Sequence, residues 1–131
     1  MSNSNTPLPT NSHFITLSQA VEMTSTYRNN RQNILAQDYK GKDILPLSET
    51  FNRAAFDKLL ATPGCEGLRI YYGMDQNLQL HAVFVAVDAD NKDLLPSSSS
   101  ASSAEGSGDD VIVEEGQRCP PICPDPSPLN S

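Results

Sequence analysis

Apolar positions along this chain change their spacing twice. From Leu17 they recur at helical intervals: Leu17, Ala20, Val21, Thr24 and Tyr27 fall on one stripe, with Glu22 and Arg28 off it. Thr16 stands where an N-cap belongs, and Gln19 takes the third helical position, which completes a Thr-x-x-Gln capping box. Asn29-Asn30 weakens the helix, but Ile34 and Leu35 keep near the same face, so the helix is expected to run to about residue 35. Residues 38–47 read as a loop with a short edge strand at 43–45, stopped by Pro46. A second helix follows, capped by Ser48 or Asn52. It has Phe56, Leu59 and Leu60 on its apolar face, supported by Ala55, and Pro63-Gly64 as its stop.

After Gly64 the period falls to two. Leu68, Ile70, Tyr72 and Met74 share one face of a strand, read as its main apolar face, and Asp75-Gln-Asn77 makes a tight turn. The returning strand runs from Leu78 to Val87, and its second half is apolar on both faces, which marks a central strand covered on both sides. Asp88 to Asp93 closes it with turn chemistry. Two strands alone are marginal. A third comes from one of two candidates, residues 43–45 or Val111-Ile-Val-Glu114, and the second is favoured because an isolated β-prone run there would be an exposed, aggregation-prone edge. The expected fold is therefore α+β: a small antiparallel sheet, a β-hairpin plus a third strand, packed with two helices.

Composition divides the chain further. Residues 1–12 and the Ser-rich tract 97–110, with seven serines, have too little apolar bulk to repay the entropy of ordering. The first is expected to be disordered and the second to be a flexible acidic linker. Residues 13–96 form the folding unit, 111–124 a strand and cysteine-bearing element docked on it, and 125–131 a disordered end. With no Trp and only four Phe and four Tyr, the core is expected to be mostly aliphatic.

The net charge of −7 is uneven: residues 1–96 hold ten acids and eight bases, while 97–131 hold six acids and one Arg. Without a Lys/Arg cluster the chain is poorly suited to nucleic acid or to anionic membranes. No apolar run reaches the ~20 residues that span a bilayer, and the N-terminus lacks the charge and apolar regions of a signal peptide, so a cytoplasmic location is expected.

The candidate chemistry lies in the tail, Cys119-Pro-Pro-Ile-Cys123. Residues that precede prolines are pushed toward extended geometry. A regular polyproline helix would hold the two Cα atoms about 12 Å apart, and a disulfide needs less than about 7 Å. A bridge, or chelation of one metal by both cysteines, therefore requires a bend near Pro121-Ile122 or a cis proline. The reading adopted is that Cys119 and Cys123 pack as small apolar anchors, with Pro120, Pro121 and Ile122 completing an interaction element. Arg69 and Tyr71 are candidates for its docking surface.

The alternative adds Cys65 and His81 to the tail cysteines, giving the four ligands of a Cys₃His zinc site, or uses the tail for thiol redox chemistry. Cys65 itself reads as a core cysteine. Asp88-Ala-Asp-Asn-Lys-Asp93 lacks the glycine and the terminal glutamate of an EF-hand. There is no phosphate-binding glycine loop, no His-Glu-x-x-His and no Gly-x-Ser-x-Gly.

Pro63-Gly-Cys-Glu-Gly-Leu-Arg-Ile-Tyr-Tyr-Gly-Met-Asp75, Val85-Ala-Val-Asp-Ala-Asp-Asn91 and the Cys-Pro-Pro-Ile-Cys tail resemble a family of small uncharacterised bacterial proteins. The resemblance spans roughly 14–95 and 111–124. It implies one small α+β domain and no activity, with the Ser-rich insert as a departure. The expected function is a non-enzymatic protein-interaction or structural module without a cofactor, its protein partner unknown. The alternatives are a cysteine-based metal or thiol-redox protein, and a ribosomal peptide precursor with a modified tail.

Overall fold

The computed structural model describes residues 6–10, 12–96 and 111–131. The expected linker at 97–110, and residues 1–5 and 11 of the expected disordered N-terminus, lie outside them. Two helices and short antiparallel sheets make the fold α+β. In chain order the elements are helix α1 (Leu17–Asn30), a 3-10 turn (Gln37–Tyr39), strand β1 (Ser48–Thr50), helix α2 (Arg53–Leu60) and strands β2 (Gly67–Met74), β3 (Leu80–Val87), β4 (Asp93–Leu94), β5 (Ile112–Val113) and β6 (Gln117–Cys119). Among the described residues, no helix is long and apolar enough to cross a membrane.

The chain forms two compact units. Of the described residues the first gathers 6–10, Phe51–Gly73, 82–96 and 111–115; the second gathers 12–50, Met74–His81 and Gly116–Ser131.

In the first unit the sheet order is β2-β3-β4, with β5 also on β3. Ala86 faces Leu94 and Phe84 faces Val113 in antiparallel register. The 111–114 run thus joins the hairpin as its composition implies. Helix α2 is capped by Asn52, whose side chain accepts from the Ala55 N–H, so of the two candidate caps it is Asn52. Gly64, at φ 86°, stands past its end as a helix stop does.

The helix lays Leu59 into a core with Ala86 and Val113, joined by Phe51, Phe56, Phe84, Leu94 and Cys65. Three of the four phenylalanines meet there, with ring centroids 4.9–5.8 Å apart, so this core is more aromatic than composition implies. Val85, Ala86 and Val87 are all buried, as expected for the two-sided apolar half of β3. Leu8 lies along Gly67, and its amide donates to the Ala89 carbonyl.

The apolar alternation of β2 is reassigned. Leu68, Ile70 and Tyr72 were expected to face the core, but they are 38%, 46% and 73% exposed. Their strand is the edge of the sheet, and α2 buries Leu59 against Ala86 of β3 and Val113 of β5.

In the second unit α1 starts as expected. Thr16 accepts from the Gln19 N–H, and the Gln19 side chain accepts from the Thr16 N–H. The helix stops at Asn30 rather than near residue 35, where Asn30 and Asn33 side chains turn back onto the carbonyls of Thr26 and Asn29.

The segment expected as a strand at 43–45 is a loop, with Asp43 at φ 55°, whose carbonyls are taken largely by side chains. Gln79 donates to Lys42 O, Arg118 to Asp43 O, Arg31 to Leu45 O and Tyr27 to Pro46 O, while the Leu80 N–H donates to Ile44 O. With its acceptors satisfied this way, the segment needs no strand partner. The sheet of this unit is instead β1 with β6, pairing Ser48 with Cys119, Glu49 with Arg118 and Thr50 with Gln117.

Candidate functional site

Three groups of side chains carry possible chemistry, and the first is the cysteine tail. Cys119 ends β6 and is buried, 3% exposed, while Cys123 lies exposed. The two form a disulfide across a Cα separation of 4.6 Å, with cis peptide bonds at Cys119-Pro120 and Pro120-Pro121. The Ile122 N–H donates to the Arg118 carbonyl at 3.0 Å and closes the turn.

This corrects the reading of Cys119 and Cys123 as packing thiols: the segment is bent, not polyproline, and the sulfurs are bonded. It also removes two of the four ligands expected for a Cys₃His site, because a disulfide sulfur is not a thiolate. Cys65 is the remaining free cysteine, half-buried, with its Sγ 3.4 Å from the Gly67 carbonyl. Pro121 and Ile122 of the expected interaction element are exposed at the tip of the turn, and Pro120 is half-buried.

The docking surface expected from Arg69 and Tyr71 is otherwise engaged. Both side chains hold the Asp93 carboxylate, and Arg69 also donates to the Asn91 side chain and, at 3.1 Å, to its carbonyl. The hydrogen bond to Asp93, with desolvation and the carboxylate's charge behind it, pushes the Tyr71 phenol up, and Arg69 opposes this. The tail's strand partner is β1.

Residues 125–131 lie against α1. Arg28 of α1 donates to the Leu129 and Ser131 carbonyls at 2.9 and 2.8 Å, and Asn130 folds back onto Ser127 and Asp125. Between α1, β1 and this segment lies a cavity of about 310 Å³. Tyr27, Leu47, Thr50, Pro124 and Leu129 are among its walls, and no lining side chain is a carboxylate, imidazole or thiol. Burial raises the Tyr27 phenol, against the nearby charges of Arg31 and Arg118.

The second group is acidic. His81 Nε2 meets Asp75 Oδ2 at 2.8 Å, and His81 Nδ1 lies 3.7 Å from Glu49 Oε2. The imidazole links β1 to the hairpin turn. The same turn is built on Asp75, whose other oxygen accepts from the Asn77 and Gln79 amides, with Leu78 at φ 64°. The bond to His81, reinforced by these amides, holds the Asp75 carboxyl below its usual value. A lowered carboxyl contributes stability above the unfolded pKa of about 4 and loses it as pH falls through the folded value. The stability gap between wild type and Asp75→Asn, present at pH 5, is therefore expected to narrow below about pH 4. Urea midpoints across the acid range measure this, and a gap that stays constant would contradict it.

The third group is the outer edge of β2. Among the described residues β2 pairs with β3 and with no other strand. Its second edge therefore has no strand partner among the described residues, and it lies beside the exposed Leu68, Ile70 and Tyr72. Each strand presents N–H and C=O groups on both edges, so an unpaired edge is a template for another strand. The alternation that marks these residues is legible in the sequence; which side of the sheet lacks a cover is not.

No protein-family model, curated protein or solved structure matches this chain.

Proposed function

We propose that this protein is a non-enzymatic interaction module that engages a protein partner through the outer edge of β2. The observation that carries the reading is the exposed apolar row Leu68, Ile70 and Tyr72 on an edge strand. Strand addition would pair the backbone groups of that edge, and the row would give the partner's side chains an apolar surface to cover. The only charge on this strand, Arg69, is neutralised by Asp93, so contact with the edge desolvates no unpaired ion.

The test compares wild type, Ile70→Lys and a control, Met23→Lys on the exposed side of α1, as baits in extracts of the source cell. A partner held by wild type and control and lost by Ile70→Lys is expected. Equal retention by all three, or by none of them from a wild-type chain that is itself monomeric, would end the reading.

A second reading has its own observation. The disulfide joins a buried and an exposed cysteine, so an external thiolate would reach the Cys123 sulfur and expel Cys119. Expulsion creates a thiolate at a buried position, which disfavours it. The disulfide therefore acts as a staple rather than an exchange centre. In the cytoplasmic location expected from the sequence, thiol reductants would work against that staple, and an oxidising compartment would preserve it. Thiol titration of the chain purified without reductant is expected to find one thiol, Cys65, and three after reduction under denaturing conditions. Three thiols before reduction would contradict the staple.

A further inference from the structure

The exposed apolar row of the strand that offers its edge is centred on Ile70. In Gly67-Leu-Arg-Ile-Tyr-Tyr-Gly73 the glycines and the exposed apolar row are symmetric about Ile70: Gly67 mirrors Gly73 and Leu68 mirrors Tyr72, while Arg69 and Tyr71, on the other face, do not match. In an antiparallel pair, directly opposed residues lie on the same face of the sheet. A two-fold axis through Ile70 would set Ile70 against its own counterpart and Leu68 against the other copy's Tyr72. The apolar row of each strand would then continue into the other on one face.

Charge is consistent with the same arrangement. A two-fold contact sets each charged residue near its own copy, so an edge carrying uncompensated charge repels itself. Here the one charged side chain of the 67–73 segment is Arg69, and Asp93 of the same chain neutralises it. The net charge of −7 resides mostly in the segment after residue 96 and not on this strand. The opposite face already carries short or engaged side chains. Gly67 and Gly73 sit under Val87 and Val83, and Arg69 and Tyr71 both hold Asp93. The face left for cross-strand contact is the one with Leu68, Ile70 and Tyr72.

We infer that the occupant of the β2 edge is a second copy of this chain, paired antiparallel about Ile70 to make one continuous sheet across a two-fold axis. The inference rests on the reading of that edge as the contact surface, and it names the partner.

The test is the molar mass of the full chain by light scattering over a concentration series, with two sets of variants. Wild type and Met23→Lys are expected to be dimers, and Ile70→Lys, which brings two ammonium groups together at the axis, a monomer with an unchanged far-ultraviolet spectrum. With Cys65 replaced by Ser, Ile70→Cys is expected to cross-link to itself under mild oxidation severalfold faster than Leu68→Cys or Tyr72→Cys. Those two positions meet each other, not themselves, across the axis. A monomeric wild type, or a dimer that survives Ile70→Lys, overturns the inference. If wild type is monomeric but still retains a cellular partner that Ile70→Lys loses, the edge remains the contact surface and only its occupant is wrong. If it is monomeric and retains nothing, both fall.

Discussion

Arg118→Ala is expected to lower the free energy of unfolding by about 3 kcal/mol. Arg118 is 9% exposed, and its guanidinium donates to the carbonyls of Leu80, Asp43 and Ile44 at 3.2, 2.8 and 3.4 Å. One side chain thus joins β6 to the start of β3 and to the 42–46 loop. Truncation leaves the Leu80 and Asp43 acceptors short of a donor and opens a cavity, and each unsatisfied buried polar group costs about 1–3 kcal/mol.

The desolvation of the guanidinium opposes this, because an arginine removed from water gains only what its acceptors return. Arg118→Met separates the two effects, since it fills volume without donating. If carbonyl satisfaction dominates, the Met variant stays more than about 1 kcal/mol below wild type. If packing dominates, it recovers nearly to wild type. Urea denaturation of both variants measures this, and a loss below about 1 kcal/mol for Arg118→Ala would contradict the role given to the side chain.

Leu59→Ala is the second large effect, with an expected loss of about 3–4 kcal/mol. Leu59 is fully buried against Ala86 and Val113 with the three phenylalanines around it. Those rings contact one another, so the wall is poorly placed to collapse into the vacated volume, which sets the cost in the upper part of the usual range. Leu59→Met conserves volume and is expected to lose less than about 1.5 kcal/mol. Thermal or urea unfolding decides, and equal losses for Ala and Met would mean that the site is not close-packed.

Local chemistry made much of this fold legible in the sequence. The Thr16–Gln19 capping box, the Asn52 cap, the Pro63-Gly64 stop, the hairpin turn at Asp75 and the third strand at 111–114 each follow from residues within a few positions of one another. What escaped reading depends on partners far apart in the chain. Strands β1 and β6 are three residues each and carry no strong alternation. They pair because residues 48–50 meet residues 117–119, and no local pattern announces that meeting. The end at 125–131 meets Arg28, about a hundred residues earlier, through backbone carbonyls that any sequence offers.

The loop at 42–46 has strand-like composition, and donors from three other segments, at 27–31, 79–80 and 118, make a strand unnecessary there. The cysteine turn was misread for a related reason. Proline preferences describe a free segment, and here the Ile122–Arg118 hydrogen bond and the disulfide bend it. The apolar alternation of β2 was read correctly as a strand and wrongly as a core face. Alternation shows which residues share a side, and the position of α2 decides whether that side is covered.

The central claim is that the Leu68–Tyr72 edge of β2 meets another protein chain. The most direct measurement is photo-cross-linking in the source cell with benzoylphenylalanine at position 72 and, as a control, at position 23. The account predicts one dominant adduct from position 72, its mass identifying a second copy or another chain, lost when Ile70→Lys is added and absent from position 23. No adduct from position 72, or equal adducts from both positions, would contradict it.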